Sequence, residues 1–212
     1  MSQAPDLIAE PGRRARRKAE TRQRLLASAR ALFVSRGYDA TRPQDIARAA
    51  DLATGTFYVH FSDKSEVFHA FVAQAAEELM TEMGERIGDA RDFEQRLLRS
   101  LEALNDYAQR NPGVLKAAFA DAAVIAAGVP SGASLRDRLN DSLARGLQAD
   151  MNAGLLAADY DARVIAPGIV GMIHAALVHG ARDDLSPQAL FQDLTRFCAR
   201  ALAPTRENGE DG

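Results

Sequence analysis

The residues best suited to contact a polyanion lie in one short stretch, from Thr41 to Lys64. Two short helices, predicted at about 44–50 and 54–60, are separated there by a three-residue turn. The outward side of the second helix combines hydrogen-bond donors with a glycine: Thr54, Gly55, Thr56, Tyr58 and His60. Thr56 can hydrogen-bond a phosphate or present its methyl to thymine, and Gly55 permits close approach to a groove wall. The spacing therefore indicates a helix-turn-helix that binds duplex DNA.

Two predicted helix N-termini add positions for an anion, because free backbone N–H groups and the helix dipole both favour negative charge there. Lys64 lies at the start of a long helix, which Asp63-x-x-Glu66 opens as a capping box and which runs to about residue 86. Thr41-x-x-Gln44 predicts a second capping box at the start of helix 44–50. A single surface lysine or histidine is most often just solvated, so the DNA interpretation depends on the combination.

Apolar residues at helical spacing predict the scaffold that holds this pair of helices. The first helix has a stripe along one side and ends at Gly37, and Ala47 allows the two short helices to cross closely. Asp51 can adopt the left-handed backbone that the turn needs. The residues expected in this core are Leu25, Leu26, Ala29, Leu32, Phe33, Ile46, Ala50, Leu52, Phe57 and Phe61.

The charge distribution also favours a polyanion at one end of the chain. Residues 1–69 hold 12 basic and 8 acidic side chains, whereas residues 70–212 hold 14 and 21. A basic run at Arg13, Arg14, Arg16, Arg17 and Lys18 follows a predicted flexible start, so residues 1–18 are predicted to be a flexible basic arm. A solvated run and contact with phosphates or a minor groove are equally good interpretations of this arm.

Composition limits the remaining possibilities. A chain of 212 residues suits one or two domains with real cores, and no apolar run looks long enough to span a bilayer. The single Cys198 excludes an internal disulfide and fits a reducing cytoplasm. No phosphate loop, paired metal-binding histidines or activated nucleophile is present, so we expect neither an enzyme nor a metal or other cofactor.

The rest of the chain predicts an all-α protein. Helices are expected at 92–110, 112–127, 133–157, 161–180 and 187–203, with Asn111-Pro112 as an N-cap and first helical residue. Pro167 predicts either a kink or a later start, near 166, for helix 161–180. The expected domains are 19–66 for DNA binding and 67–203 for the larger helical part, followed by a disordered tail at 204–212.

The stretch from about 21 to 70 resembles the TetR family of bacterial transcriptional regulators. The resemblance rests on the joint spacing of Leu32-Phe33, Gly37-Tyr38, Ala40-Thr41, Ile46-Ala47, Gly55-Thr56-Phe57-Tyr58, His60-Phe61 and Lys64. It implies an N-terminal three-helix DNA-binding domain and a C-terminal helical domain for ligand binding and dimerisation. It also implies DNA contacts from Arg42, Thr54, Gly55, Thr56, Tyr58, His60 and Lys64. Asp51 and Ala53 depart from the family's usual Gly and Ser, and Arg42-Pro43 from a more usual pair.

The same resemblance assigns dimerisation to helices 161–180 and 187–203, both of which look apolar on more than one side. The interface residues expected are Gly171, Ala175, Leu190, Leu194 and Phe197. An effector pocket is expected from Met83, Leu101, Asn105, Phe119, Met151, Met172 and His174. The simpler interpretation is an ordinary core position for each apolar residue and a hydrogen-bonded core histidine for His174.

The sequence thus predicts a cytoplasmic homodimer, without a membrane partner, that binds operator DNA and a small apolar or amphipathic effector. A repressor released by that effector is the favoured function. The alternatives are an activator or ligand-independent regulator of the same fold, a helical small-molecule-binding protein without operator specificity, and a nonspecific architectural DNA binder.

Overall fold

The computed structural model describes residues 12–120, 134–180, 183 and 185–204. All regular secondary structure in these ranges is helical, which confirms the predicted all-α class. The described helices are α1 Arg13–Arg36, α2 Pro43–Ala49, α3 Thr54–His60, α4 Lys64–Ile87, α5 Phe93–Arg110, α6 Val114–Ala120, α7 Leu135–Asn152, α8 Ala162–Gly180 and α9 Pro187–Ala201.

The chain divides into two compact units between Phe71 and Val72, a boundary that lies within α4. The sequence placed this boundary five residues earlier, after residue 66. The predicted tail from 205 onward and the first 11 residues of the predicted arm lie outside the described residues. Residues 13–18 of that arm belong to α1 and are exposed, so the prediction of a flexible segment is wrong for them.

The core of the N-terminal unit is formed by the apolar stripe of α1 and by the helix pair that packs on it. Of the predicted core residues, Leu32 and Leu52 are half-buried and the others are buried. Phe33 lies at the centre of an aromatic cluster with Tyr38, Phe68 and Phe71, with ring centroids 5.1 to 6.0 Å from its own. These contacts hold the start of α4 against α1.

The turn between α2 and α3 has the geometry that its sequence predicts. Asp51 has a φ of 55°, in the left-handed region that Asp tolerates better than most residues. The Leu52 N–H donates to the Ala47 carbonyl at 2.9 Å. Arg24 adds a link that the sequence does not reveal, because its guanidinium donates to the Ala50 carbonyl at the end of α2 at 2.6 Å. The turn is therefore fixed from both sides.

Two predicted helix starts are different in the structure. The N-cap of α2 is Arg42, with Pro43 in the first turn, and Thr41 makes no capping bond. Asn111 ends α5 instead of starting the next helix, and α6 begins at Val114 after Gly113, whose φ is 81°. The part of the predicted helix 112–127 beyond residue 120 lies outside the described residues.

The start of α4 agrees with prediction more closely. The Glu66 N–H donates to Asp63 Oδ1 at 2.8 Å, as a capping box requires. The Glu66 carboxylate accepts instead from the Ser62 N–H, at 2.6 Å, one residue before the predicted partner. The first bond satisfies a donor that the first turn of α4 leaves free, and the second satisfies an N–H just before the helix.

In the C-terminal unit, α7 packs on α8, and α9 packs on both α5 and α8. The buried side chains include Leu147, Met151, Ile169, Ile173 and Phe191. Helix α7 ends at Asn152, five residues before the predicted end, and Gly154 follows with a φ of 71°. Helix α8 begins at Ala162 and continues through Pro167, so the later start considered for it is wrong.

Helix α8 also corrects the expectation that no segment is long enough to span a bilayer. Its 19 residues are apolar enough, by length and composition alone, to cross a membrane. This is weak evidence, since core helices of soluble proteins meet the same criteria. Only 22% of the apolar window is buried within the chain, so much of α8 has no covering surface in the described residues.

Candidate nucleic-acid interface and internal cavity

The exposed side of α3 presents the side chains that the sequence selected for contacting DNA. Phe57 is buried and anchors the helix, whereas Tyr58 is 52% exposed. Thr54 and Gly55 are also exposed, and Thr56 and His60 are half-buried at the margin of the same surface. A Cβ added at Gly55 would meet no described atom within 4 Å. Packing within the chain therefore does not require this glycine, which leaves the approach of another molecule as a reason for it.

Lys64 lies beside this surface in a fixed position. Its ammonium Nζ donates to the Tyr38 carbonyl at 2.9 Å and lies 4.1 Å from the centre of the Tyr38 ring. An ammonium group has three N–H donors. The bond to Tyr38 uses one of them and leaves two for an anion, with the stem of the lysine already ordered.

Thr41 is the one predicted DNA contact that the structure contradicts. Its side chain is fully buried, and its hydroxyl donates to the Gly37 carbonyl at 2.8 Å. The hydroxyl therefore braces the turn between α1 and α2 and cannot reach a phosphate. Gln44, which sequence reasoning assigned to the same capping box, is exposed in the first turn of α2 and is a more accessible donor.

His60 is partly buried and close to two cations, which the sequence did not reveal. Partial burial lowers the pKa of His60 below its ordinary 6.5, and the charges of Lys18 and Arg22 lower that pKa further. Its buried Nδ1 has no hydrogen-bond partner in the described part of the chain. Arg22 also stacks on the Phe61 ring at 4.6 Å, which holds its charge beside the end of α3. A phosphate near His60 would thus find two cations close by.

Exposed cations also lie on α1 and at the start of α2. Arg42 is exposed at the N-cap of α2, in extended backbone geometry. The run on α1 is exposed from Arg13 to Lys18, and only Arg16 within it has a described ion pair, with Glu20 at 3.2 Å. The other cations of the run are not neutralised by described side chains, which suits a surface that binds polyanions.

The C-terminal unit contains a cavity of about 350 Å³ with a mostly apolar lining. Four of the predicted pocket residues line it: Met83, Leu101, Phe119 and His174. The Phe119 and His174 rings lie 5.5 Å apart. The prediction is wrong for the other three, Asn105, Met151 and Met172, which do not line the cavity. Met151 is a core residue and Met172 packs against the same core, the simpler interpretation already given for them.

Apart from His174, the polar side chains of the cavity wall were not predicted. Arg96 on α5 donates to Asp150 on α7, and both line the cavity together with Ser100, Ser142 and Arg145. The Ser100 hydroxyl donates to the Arg96 carbonyl at 2.7 Å. In sequence, the charges of α5 resemble those of any solvated helix face. Only the pairing of Arg96 with a nearly buried Asp150, 54 positions later, distinguishes them.

The residues predicted for a dimer interface lie on α8 and α9. Phe197 is 61% exposed, Ala175 is exposed, and Gly171 is half-buried with no described atom within 4 Å of an added Cβ. Leu190 and Leu194 are half-buried, and Leu194 packs partly on the core of its own chain. An apolar surface therefore remains uncovered on these two helices.

Residues 25–71 match the family described as bacterial regulatory proteins, tetR family. The transcriptional activator FasR of Mycolicibacterium smegmatis is 32% identical over 92 residues, which are 43% of this chain and 42% of FasR. The chain thus spans less than half of FasR in that match. The uncharacterised transcriptional regulator YdgC of Bacillus subtilis is 25% identical over 87% of this chain and 94% of its own.

Solved structures share this fold over most of the chain. SmeT, the repressor of the Stenotrophomonas maltophilia multidrug efflux pump SmeDEF, has a TM-score of 0.65 at 19% identity. The match covers 87% of this chain and 91% of SmeT. At this identity, the likeness establishes the fold alone.

Proposed function

Because the chain belongs to the TetR family of bacterial regulatory proteins, we propose that it is a sequence-specific, DNA-binding transcriptional regulator of the cytoplasm. The observation that carries this proposal is the surface of α3, where Tyr58, Thr54 and Gly55 are exposed around a buried Phe57. A helix anchored in this way can enter a major groove, with its side chains against base edges and the flanking backbone.

The donors of this surface divide into two roles. Lys64, Tyr58 and His60 offer N–H or O–H groups to phosphates, which position a protein on DNA without reading its sequence. Thr56 and Arg42 are assigned to base contacts, since a methyl can recognise thymine and a guanidinium can recognise guanine. The exposed cations of α1 add affinity that does not depend on sequence.

We also propose that the cavity holds a small effector that releases the protein from its operator. Met83 of α4 lines the cavity, and α4 belongs to both units. A ligand that displaced Met83 would act on the helix that begins at Lys64. A coupling of about 1–3 kcal/mol between the two sites is enough for a physiological response. FasR is named an activator and SmeT a repressor, so the direction of control is a separate measurement.

Selection of bound DNA from a random pool tests the central proposal. A palindromic site should be enriched, and its competition against random DNA at fixed salt should give a specificity ratio of about 10³ or more. Enrichment of no sequence, together with salt-dependent binding to all DNA, would indicate an architectural DNA binder instead. Absence of any DNA binding would leave a helical small-molecule-binding protein.

The effector part of the proposal is tested by reciprocity. If the ligand weakens operator binding by a given factor, saturating operator must weaken ligand binding by the same factor. Phe119→Trp, which fills space at the cavity wall, should blunt release by the ligand while DNA affinity stays unchanged. Equal ligand affinity with and without operator would contradict coupling between the two sites.

A further inference from the structure

The charges on the cavity wall are not balanced. Arg96 and Arg145 line the cavity, whereas Asp150 is its only lining carboxylate among the described residues. With His174 counted as neutral, the wall has a formal charge of +1. Arg145 makes no ion pair with a described side chain, and the one hydrogen bond made by the Arg96 guanidinium to a described residue goes to Asp150. The remaining lining is mostly Leu, Met, Phe, Ile and Val.

We propose that the cavity binds a small anionic amphiphile, an apolar body with one carboxylate or similar group, which takes the place of Asp150 at Arg96. The inference rests on the proposed function in treating the cavity as a ligand site. The planar guanidinium has five N–H donors in a fork that matches a carboxylate with two parallel bonds. An apolar body suits the remainder of the wall.

A cationic or neutral ligand fits this wall less well. A cation would be a third positive group beside two arginines, with a carboxylate that Arg96 already pairs. Arg145 is exposed and keeps its water, so a neutral apolar ligand would gain the apolar wall but no bond from the half-buried Arg96. The cavity of about 350 Å³ lies near the lower end of the ~300–1,000 Å³ range of ligand pockets. The ligand is therefore a medium-chain or single-ring acid.

The pairing of Arg96 with Asp150 predicts competition within the protein. Their side chains are only 24% and 10% exposed, so an Asp150 released from Arg96 has limited access to water. The ligand anion must displace this internal carboxylate before it gains the guanidinium. Removing the charge of Asp150 should therefore strengthen binding of an acid, an effect that a merely structural ion pair would not produce.

Calorimetric titration of the full-length protein tests the proposal with two matched ligand sets. One set is octanoate, octanol and octylamine, and the other is benzoate, benzyl alcohol and benzylamine. In at least one set the acid should bind at least about tenfold more tightly than the other two, since one charge-assisted hydrogen bond is worth that ratio. Equal or tighter binding of the alcohol or amine overturns the proposal, and so does the absence of binding by all six compounds.

Substitutions locate the anion. Arg96→Met should weaken acid binding at least about tenfold and leave binding of the alcohol unchanged, whereas Asp150→Asn should strengthen acid binding. The matched control is Arg99→Met on the same helix, because Arg99 bonds Asp89 and the Ile87 carbonyl and does not line the cavity. If Arg96→Met fails to fold, Arg96→Lys replaces it, and a weakened bidentate contact is expected. Unchanged acid affinity in the Arg96 variant, or weaker acid binding by Asp150→Asn, contradicts the proposal.

Operator binding measured with and without the acid separates this inference from the proposed function. An acid that binds through Arg96 but leaves DNA affinity unchanged supports the ligand class and removes the effector role. If the pool experiment enriches no sequence, the proposed regulatory function is contradicted, whereas the proposed ligand class is still supported by the titrations.

Discussion

Tyr58 and Thr41 both have a hydroxyl group in the N-terminal unit, but only Tyr58 is available to another molecule. Tyr58 is half exposed on α3, whereas the Thr41 hydroxyl is buried and bonded to the Gly37 carbonyl. A buried hydroxyl without a partner, or a buried carbonyl without a donor, costs free energy that an exposed group recovers from water. At the scale of single residues, burial therefore separates a structural role from a binding role.

Thr41→Val should lower the free energy of unfolding by about 1–3 kcal/mol, because it removes a buried hydrogen bond while keeping the side-chain volume. DNA binding by the folded variant should keep its salt dependence. The control is Thr21→Val, since Thr21 makes the same type of bond, to the Arg17 carbonyl at 2.9 Å, at a more exposed position. Urea denaturation measures both variants, and equal losses of stability would contradict a special role for Thr41.

Lys64→Ala and Tyr58→Phe should weaken DNA binding on every sequence, because phosphate contacts carry no sequence information. For Lys64→Ala the slope of log K against log salt should become less negative by about 1. Lys116→Ala, an exposed lysine on α6, is the control of equal charge. Since Lys64 also bonds the Tyr38 carbonyl, thermal unfolding must show that the variant is folded. A changed preferred site with unchanged nonspecific affinity would contradict this role.

We expect His60 to make both stability and DNA binding depend on pH. The pKa of His60 lies below 6.5 in the folded chain through partial burial, Lys18 and Arg22, so the unfolded chain takes up the proton first as the pH falls. Stability from neutral His60 is therefore complete above 6.5 and is lost below it. A phosphate contact favours the protonated form and should raise the pKa, so DNA affinity should increase as the pH falls through this region.

Fluorescence anisotropy across this pH range measures the effect. His60→Gln should flatten the pH dependence of DNA affinity, and His179→Gln, an exposed histidine on α8, should leave it as in the wild type. If the His60→Gln variant kept the full pH dependence, the assignment of His60 to a phosphate contact would be contradicted.

At the scale of helices, the sequence predicted the existence and type of every described helix but not all of their ends. The helical spacing of apolar residues and the turn-forming residues predicted α3 at Thr54–His60 and the left-handed turn at Asp51. Both features depend on residues that are neighbours in sequence. The helix-capping roles predicted for Thr41 and Asn111 were wrong. The Thr41 hydroxyl could bond either a backbone amide later in the chain or a carbonyl earlier in it, and the sequence does not decide between them. Pro112 was compatible with either a first helical turn or a loop. Packing decides between such local alternatives.

The cavity shows the same limit over longer distances. Met83, Leu101 and Phe119 were predicted because apolar residues are expected in any pocket of a helical domain, and His174 was predicted as one of its few polar contacts. The pairing of Arg96 with Asp150 could not be predicted, since it joins two helices that are adjacent only in the folded chain. A charge pattern along one helix does not show which charge faces a neighbouring helix.

Helix α1 gives a prediction at this scale, since its first turns present a dense and largely unpaired positive charge. Replacing Arg13, Arg14 and Arg17 together by Gln should make the salt slope less negative by about 0.9 for each phosphate that α1 no longer neutralises. The control replaces three exposed cations of the C-terminal unit, Arg91, Lys116 and Arg200, so that the net charge is the same. Equal slopes for the two triple variants would mean that α1 touches no phosphates.

At the scale of the whole molecule, we expect a partner to cover the apolar surface of α8 and α9. Within one chain only 22% of the apolar window of α8 is buried, and Phe197 on α9 is 61% exposed. Soluble proteins rarely leave large contiguous apolar patches uncovered, and a two-fold dimer covers the same patch on both chains. A dimer would also supply two recognition helices for the two halves of a palindrome.

Phe197→Asp should therefore convert the protein into monomers at micromolar concentration, as measured by sedimentation velocity. It should also weaken operator binding by several orders of magnitude, because each monomer contacts one half-site only. Leu155→Asp is the matched control, since Leu155 is 52% exposed but lies outside α8 and α9. Circular dichroism must show equal helix content in both variants, because insolubility alone would also follow from an exposed interface. A wild-type protein that sediments as a monomer, or a Phe197→Asp variant that remains dimeric, would place the dimer interface elsewhere or exclude a dimer.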